Sequence, residues 1–394
     1  MSRTFLTTGA AKVLAPREAK VGDRLPYLGH LDPQTLQTRD GLLIQTLHLA
    51  GFPSETAPDE ELNYRKAIRE TVLRGAASSR LAVYHHVVRR RVTPAFPPAP
   101  EDPFCARLDA GWRERLAGRS LYVNDIFLTL VRRPLQGGAG FLERLLKPPG
   151  ARQAEIDREL RALHAARDAF AAALTPYGPR TLALYDGPGG AQRSEPAEFL
   201  SLILNGELRP VLAPTGDLGQ AIGARRLSFG LDAMEFGAGP GPATFGAMIS
   251  LKDYPARTAP GLLDGVLRLS MELVLTESFA FVERQQALDR MGLALRRLRA
   301  ADDDAYSLRS ELAEARDDVG AGRAAYGEHH LTILAKADSF DELDGAVADV
   351  QSALAEAGAI AVREDTNLEP AFWAQFPGNF KFIARRALVS AANF

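Results

Sequence analysis

Short β-patterned runs alternate with amphipathic helical runs along this chain, and this alternation most constrains its fold. An Asp40-Gly41 step separates two apolar runs, residues 35–38 and 42–49, which is typical of a β-hairpin. The next predicted elements are a helix, a strand, a helix and a strand, at residues 57–75, 81–92, 104–116 and 121–131. The order ββαβαβ predicts helices packed on one sheet.

The middle of the chain combines one long helix with a segment rich in glycine and proline. Apolar residues recur every three or four positions between 151 and 174, which predicts an amphipathic helix. Glycine and proline punctuate residues 176–242, so we expect an irregular insertion there, with a short helix at 196–204 and a hairpin at 224–236.

A second run of strands and helices follows the insertion. The predicted strands are 244–253, 272–276, 329–336 and 359–363. Two helices are predicted at 261–269 and 340–357. A further long helix is predicted to bend at 301–304 and to end near residue 318. Ser278 is the expected N-cap of the long helix. Each half opens with a strand, a proline-containing loop and a helix, and each later carries a His-His pair.

The sequence therefore predicts an α+β fold of two related sheet-plus-helix units, ferredoxin-like in character, with an irregular Gly/Pro-rich insertion and a long helical segment. The predicted domains are residues 1–145, 146–242 and 243–376, followed by a linker at 377–394.

Composition narrows the classes of function. The chain has 47 Lys and Arg against 49 Asp and Glu, so its net charge of −2 provides no overall field for nucleic acid. Its one cysteine, Cys105, excludes an intrachain disulfide and fits a reducing cytoplasm. Residues 1–20 lack the apolar region of a signal peptide, and no apolar run reaches the ~18 residues of a spanning helix. We expect any membrane contact to be peripheral or through a partner.

The motifs of nucleotide hydrolysis are absent from this sequence. A P-loop needs Gly-Lys-Ser or Gly-Lys-Thr after a glycine-rich turn, and neither tripeptide occurs. The segment most similar to a P-loop is residues 237–242. Its prolines lack the backbone N–H groups that would bind phosphate, and no lysine follows. We predict no catalytic residue and no cofactor in this chain.

Histidines and the cysteine are weak candidates for chemistry. The pairs His85-His86 and His329-His330 lie in predicted strands, where neighbours face opposite sides, so neither pair chelates a metal as a unit. One histidine of each pair could meet across a sheet, but no flanking acidic residue completes a metal site. Cys105 has no placed base, which favours a packing role. We predict no metal site.

Arg89, Arg90 and Arg91 end a predicted strand beside a proline-rich loop. One interpretation is contact with anionic lipid head groups, at about 1 kcal/mol for each arginine. The other is a charged strand end that protects the sheet edge, and the sequence slightly favours it.

Several motifs spread along the chain resemble the CagE/TrbE/VirB family of large conjugation and secretion ATPases. At the start stands Pro26-Tyr27-Leu28-Gly29-His30, before the hairpin. The more specific motifs lie near the end: Arg363-Glu364-Asp365-Thr366-Asn367-Leu368-Glu369-Pro370-Ala371-Phe372-Trp373, then Gln375-Phe376-Pro377-Gly378-Asn379 and the last residues from Arg385-Arg386 to Phe394.

The resemblance implies a region that precedes a RecA-like motor domain, which would use ATP and Mg for pilus biogenesis and for protein or DNA transport. It implies docking onto inner-membrane subunits of the secretion channel, assembly with other copies of the ATPase, and a peripheral location at the cytoplasmic face of the bacterial inner membrane. Since the given sequence stops at Phe394 before any Walker motif, we expect an excised domain or a truncated gene.

A short aromatic segment is the candidate for fixing the linker that would lead to that motor. Its residues, together with the turn that follows, are Phe372, Trp373, Phe376, Pro377, Gly378 and Asn379. Two other functions stay open. One is an enzyme with an unrecognised pocket at residues 177–242, and the other is a DNA-contacting module that uses the three arginines.

Overall fold

The computed structural model describes residues 20–53, 56–133, 149–237, 242–300 and 306–394. The strands in these ranges are β1 (Tyr27–Asp32), β2 (Thr35–Thr38), β3 (Leu43–Leu49), β4 (Leu81–Val92), β5 (Leu121–Arg132), β6 (Pro179–Thr181), β7 (Leu184–Asp186), β8 (Gln192–Ser194), β9 (Leu227–Phe229), β10 (Met234–Phe236), β11 (Thr244–Asp253), β12 (Glu272–Phe281), β13 (Tyr326–Ala337), β14 (Ile360–Arg363) and β15 (Ala387–Ser390).

The α-helices of the described ranges differ widely in length. They are α1 (Val21–Arg24), α2 (Asp59–Gly75), α3 (Pro103–Ala117), α4 (Pro149–Ala173), α5 (Glu195–Asn205), α6 (Leu218–Ala221), α7 (Asp264–Leu267), α8 (Arg284–Ala300), α9 (Tyr306–Gly320), α10 (Phe340–Glu356) and α11 (Leu368–Ala374). Short 3₁₀ turns lie at Thr175–Tyr177, Pro188–Gly190 and Phe380–Phe382.

One antiparallel sheet joins the two halves of the chain. Its strand order is β1-β2-β3-β5-β4-β12-β13-β11-β10-β9, with β6 beside β3, β14 beside β11 and β15 beside β13. The halves meet where β4 pairs with β12, from Arg89 opposite Leu273 to Ala82 opposite Ala280. Because β4 also pairs with β5 and β12 with β13, the backbone of both strands is bonded on both sides.

The first face of the sheet is covered by helix α5 and by the aromatic residues around α11. Ser194 caps α5 by accepting a hydrogen bond from the Ala197 amide, and Gly206 ends it in a left-handed conformation with φ of 75°. The helix between them is almost entirely buried, and its Phe199 ring lies 4.4 Å from that of Phe127 on β5.

The opposite face is covered by helices on both halves. Leu163 and Phe170 of α4 and Leu73 of α2 pack on the first half of the sheet. Leu343 and Val350 of α10 pack on the second half. Their spacing matches the amphipathic patterns of the sequence, which place the apolar stripe of each helix against the strands.

The α+β fold and most of its elements are confirmed. Strands β4 and β11 begin and end at the predicted residues, and the hairpin of β2 and β3 is present. Ser278 is not a helix cap: it is buried within β12, which runs to Phe281 because its apolar alternation continues past residue 276. The predicted bend at 301–304 lies outside the described residues.

The segment predicted as an irregular insertion forms part of the folded body. It contributes the buried helix α5, strands β6, β9 and β10 of the main sheet, and the separate β7-β8 pair. Glycine and proline end each short element there without preventing the pairing. Part of the predicted linker 377–394 is also ordered, since β15 pairs with β13. The ferredoxin-like character and the domain boundaries stay predictions.

The two tryptophans allow a direct test of the core. We expect Trp373→Ala to lower the free energy of unfolding by about 3–5 kcal/mol, because Trp373 is 2% exposed and its loss leaves a cavity. Trp112→Ala is the matched control: Trp112 is 59% exposed, so its truncation should leave stability nearly unchanged. Urea unfolding followed by circular dichroism measures both, and equal effects would contradict the assignment.

Candidate interaction surface

Helix α3 carries three large apolar side chains that point into solvent. Asp102 caps the helix by accepting hydrogen bonds from the Phe104 and Cys105 amides, and Pro103 occupies its first turn. No residue of α3 is buried. Phe104, Leu108 and Trp112 recur every fourth residue and are 68%, 69% and 59% exposed. They form one stripe along the helix, which we call the α3 stripe.

The α3 helix is held mainly by the connector that precedes it. Arg113 donates a hydrogen bond of 2.6 Å to the Pro97 carbonyl, and its guanidinium lies 4.8 Å from the centre of the Phe96 ring. Arg113 also pairs with Asp109 at 2.6 Å. These contacts use the side of α3 away from the α3 stripe. Spacing alone could have revealed the stripe, but the sequence cannot distinguish an exposed stripe from a core-facing one.

The three arginines at the end of β4 have different surroundings. Arg89 donates a hydrogen bond of 2.7 Å to the Leu269 carbonyl, and Arg90 pairs with Asp125 at 2.5 Å. The Arg91 side chain is 56% exposed and lies 4.0 Å from Asp338. Two of the three guanidinium groups are therefore engaged within the fold, and Arg91 is the most available for an external contact.

The predicted aromatic segment lies in the core. Phe372, Trp373 and Phe376 are at most 2% exposed and pack against one another. Gly378 follows in a left-handed conformation with φ of 95°, in which a side chain would be strained.

The turn after that segment ties the end of the chain to its beginning. The Tyr27 hydroxyl donates a hydrogen bond of 3.0 Å to the Pro377 carbonyl, and the Asn379 side-chain amide donates one of 3.0 Å to the Arg24 carbonyl. Arg24 also forms an ion pair of 2.9 Å with Glu369. The segment therefore fixes a point close to the C-terminal end of the described chain against its first strand.

The histidine pairs meet across the sheet through an acidic residue that sequence spacing did not reveal. Glu277 on β12 lies between them: His85 Nδ1 donates a hydrogen bond of 3.0 Å to Glu277 Oε2, and His329 Nε2 lies at an ion-pair distance of 3.7 Å from Oε1. The Tyr254 hydroxyl lies 2.8 Å from His329 Nδ1. No local pattern links residues 85, 277 and 329, because strand order alone brings them together.

Glu277 is held in its ionised form. Burial by itself raises the pKa of the Glu277 carboxyl, but the interactions with His329 and His85 outweigh it and hold that pKa well below its usual range. Within the described residues, no group of three or more His, Cys, Asp or Glu side chains is arranged to hold a metal ion. Glu277 and His85 also line a largely apolar cavity of about 190 Å³ between α2, α4 and β5.

The other histidine of each pair faces the opposite side of the sheet and is neutral. His86 donates a hydrogen bond of 2.8 Å from Nε2 to the Gln375 carbonyl. Burial lowers the pKa of His86 to about 3, and burial together with nearby His329 and Arg386 lowers that of His330 to about 3. The predicted alternation of neighbours on a strand is therefore confirmed, and it separates a charged cluster from two neutral rings.

The remaining sequence candidates show no convergent chemistry. Cys105 is exposed on α3 next to Phe104, so the packing role predicted for it is wrong. The glycine-rich run at 237–242 lies largely outside the described residues. In the described residues, no helix is both long enough and apolar enough to span a bilayer.

Two family models match this chain. Residues 181–385 match the CagE, TrbE, VirB family, a component of the type IV transporter system. Residues 34–139 match the N-terminal domain of the type IV secretion system ATPase VirB4/TrbE.

Curated relatives align along nearly the whole chain. Protein virB4 of Rhizobium radiobacter is 31% identical over 371 residues, which cover 94% of this chain and 47% of that protein. The type IV secretion system protein virB4 of Bartonella henselae is 32% identical, covering 96% of this chain and 48% of that protein. PtlC of Bordetella pertussis is 29% identical, covering 98% and 47%. The chain spans about half the length of the curated relatives it matches.

The neutral histidines predict a loss of stability in acid. A folded-state pKa of about 3 for His330, against about 6.5 in the unfolded chain, means that only the unfolded state binds a proton between these values. The free energy of unfolding should therefore fall as the pH drops below about 6.5. Each such histidine should lower it by about 2 kcal/mol at pH 5. We expect His330→Leu to reduce the difference in unfolding free energy between pH 7.5 and pH 5 by that amount.

Urea titrations of the wild type and of His330→Leu at the two pH values test this expectation. The Nδ1 atom of His330 has no hydrogen-bond partner, so leucine breaks no such bond at this atom. An unchanged pH dependence in His330→Leu would show that this ring is not the group that titrates on unfolding.

Proposed function

This chain belongs to the CagE, TrbE, VirB family, a component of the type IV transporter system, and on that premise we propose that it is the N-terminal docking and assembly region of a type IV secretion ATPase. In this proposal it anchors the ATPase to inner-membrane subunits of the secretion channel, at the cytoplasmic face of the membrane. It also contributes to assembly with other copies of the ATPase. A motor domain following it in the full-length protein would bind ATP and Mg and drive the transport of protein or DNA.

The fixation of the segment 368–379 is the observation that carries the proposal. A docking region must hold the motor at a defined position, and this needs a stiff connection between the body and the chain that leads to the motor. Phe372, Trp373 and Phe376 are buried in the body, and the turn after them bonds to residues of α1 and β1. A following domain would be connected to this fixed segment through residues 380–394, of which β15 is also paired with the sheet.

The contacts within residues 177–242 favour docking over an enzyme pocket there. Glu195 pairs with Arg180 at 2.6 Å, and the Tyr185 hydroxyl donates a hydrogen bond of 2.7 Å to Glu198. Arg225, whose side chain is 5% exposed, pairs with Glu207. These six charged or polar groups are engaged with one another within the described part of the segment, which supports docking over an enzyme there.

The internal bonds of Arg89 and Arg90 likewise weaken the alternative of a DNA-contacting module. Only Arg91 of the three is more than half exposed, and the net charge of −2 adds no attraction for a polyanion. We therefore assign Arg91 to the proposed docking face and not to a nucleic-acid groove.

We expect the purified 394-residue chain to release no phosphate from Mg-ATP above the buffer rate. Gly-Lys-Ser and Gly-Lys-Thr are absent from it, and phosphoryl transfer needs a phosphate cradle with its lysine and magnesium-binding hydroxyl. A coupled phosphate-release assay measures this, with a P-loop ATPase at equal concentration as the positive control. Magnesium-dependent hydrolysis that elutes with the chain in gel filtration would refute the assignment of a docking region without its own hydrolytic site.

We also expect the chain to capture inner-membrane channel subunits from detergent-solubilised membranes of cells that express the same secretion system. Arg91→Glu should reduce this capture several-fold, because it reverses the exposed charge at the proposed docking face. Arg297→Glu on α8, also exposed, is the matched control and should capture normally. Equal capture by both variants would exclude Arg91 from the interface, and no capture by the wild type would contradict the docking proposal.

A further inference from the structure

The α3 stripe is an apolar surface that the described fold leaves uncovered. Its three side chains are each more than half exposed, although residues of the same types elsewhere in this chain form the core. Aligned Phe, Leu and Trp side chains on one exposed helix indicate a surface that is covered in the working state of the molecule.

Positively charged side chains near the α3 stripe indicate which kind of surface covers it. Arg107 follows Phe104 by three residues and Arg115 follows Trp112 by three, so each arginine lies one turn along from an aromatic side chain of the stripe. Arg119 comes just after the end of the helix. Within the described part of the chain, none of these three guanidinium groups has an ion pair or hydrogen bond, whereas Arg113 on the other side is paired with Asp109.

Acidic residues are absent from the α3 stripe. Asp109 is paired with Arg113 and partly buried, and Glu114 lies beside the stripe, on the same edge of the helix as Arg107, which is seven residues earlier. From Pro103 to Arg119 the sequence carries four arginines against one Asp and one Glu. The helix thus combines a row of apolar side chains with unpaired cations and an excess of positive charge, although the whole chain is slightly negative.

We propose that α3 lies flat on an anionic lipid surface, with Phe104, Leu108 and Trp112 inserted at the boundary between head groups and acyl chains and with Arg107, Arg115 and Arg119 contacting lipid phosphates. An apolar groove on a protein would cover the stripe but leave the guanidinium groups unmatched, whereas an anionic interface satisfies both. The long arginine side chains can follow the apolar surface and place their charges among the head groups. This inference rests on the proposed function, since it names the surface on which the docking region sits.

The chain contains its own reporter for this contact. It has only two tryptophans, and Trp373 is buried at 2% exposure, so a change in tryptophan emission on adding vesicles reports Trp112. We expect a blue shift and flotation of the full chain with vesicles of phosphatidylglycerol and phosphatidylcholine. Vesicles of phosphatidylcholine alone should bind about tenfold more weakly, and added salt should weaken the binding to the anionic vesicles.

Two variants separate the apolar from the charged contribution. Leu108→Glu should lower the partition onto anionic vesicles about tenfold or more, because it places a carboxylate in the centre of the stripe. The double variant Arg107→Gln and Arg115→Gln should bind anionic vesicles several-fold more weakly than the wild type, and its preference for anionic over neutral vesicles should be smaller, with Arg119 retained. Leu231→Glu is the matched control: Leu231 is 77% exposed elsewhere, and its substitution should leave the partition unchanged. Thermal unfolding should be the same for all of them, because none of these side chains is buried.

Several outcomes would overturn the proposal. Wild-type chain that fails to float with anionic vesicles, or Leu108→Glu that floats as the wild type does, contradicts a lipid contact through α3. A blue shift that grows with protein concentration in the absence of vesicles shows that a second copy covers the stripe. A shift that appears only with solubilised channel subunits assigns the stripe to a protein partner. If the chain captures channel subunits but does not bind vesicles, this inference is wrong and the proposed docking stands. If the chain binds vesicles but captures no subunits, the proposed docking is wrong.

Discussion

The pairing of β4 with β12 is the contact on which the rest of the structure depends. It joins strands that are almost two hundred residues apart in the chain and makes one sheet from two halves. Both strands are bonded on their other sides too, so their backbone amides and carbonyls are satisfied without water. Each face of this junction carries a further link: His85 to Glu277 on one, and His86 to the Gln375 carbonyl on the other.

The two faces of the junction have opposite electrostatic character. On one, Glu277 stays ionised because two histidines compensate the cost of its burial. On the other, His86 and His330 are kept neutral by burial. Side chains alternate along a strand, so a His-His dipeptide places one ring in each environment. The cluster around Glu277 thus links β4, β12 and β13 at the junction between the two halves.

Aromatic residues occur in two different environments in this molecule. The aromatic segment near the end of the chain is sealed in the core and fixes α11 against the first strand. Helix α3 has an apolar stripe of similar composition, yet it extends from the connector between β4 and β5 and has no buried residue. The same side-chain chemistry is therefore buried in one place and exposed to solvent in the other.

Local sequence patterns determined the elements of this fold. The alternation of residues 81–92 and the apolar stripe of α4 are local patterns, and so they can be read from the sequence. Caps are local too, but the one predicted from the sequence, at Ser278, was wrong because that residue lies within β12. The motifs that carry the family resemblance were also visible in the sequence. Strand order was not, because it depends on pairings between distant segments, such as β4 with β12 or β15 with β13.

Tertiary structure alone decided which side chains meet and which stay exposed. The contact of Glu277 with His85 and His329 could not be predicted from the sequence, because it depends on the pairing of β12 with β4 and with β13. The run 176–242 looked irregular because its glycines and prolines end every element after a few residues, yet long-range pairing makes those elements part of the sheet. The period of the α3 stripe matches that of a core helix, and the two differ only in that no element of the described ranges covers the stripe. Burial is a property of the assembled fold, whereas periodicity is a property of the chain.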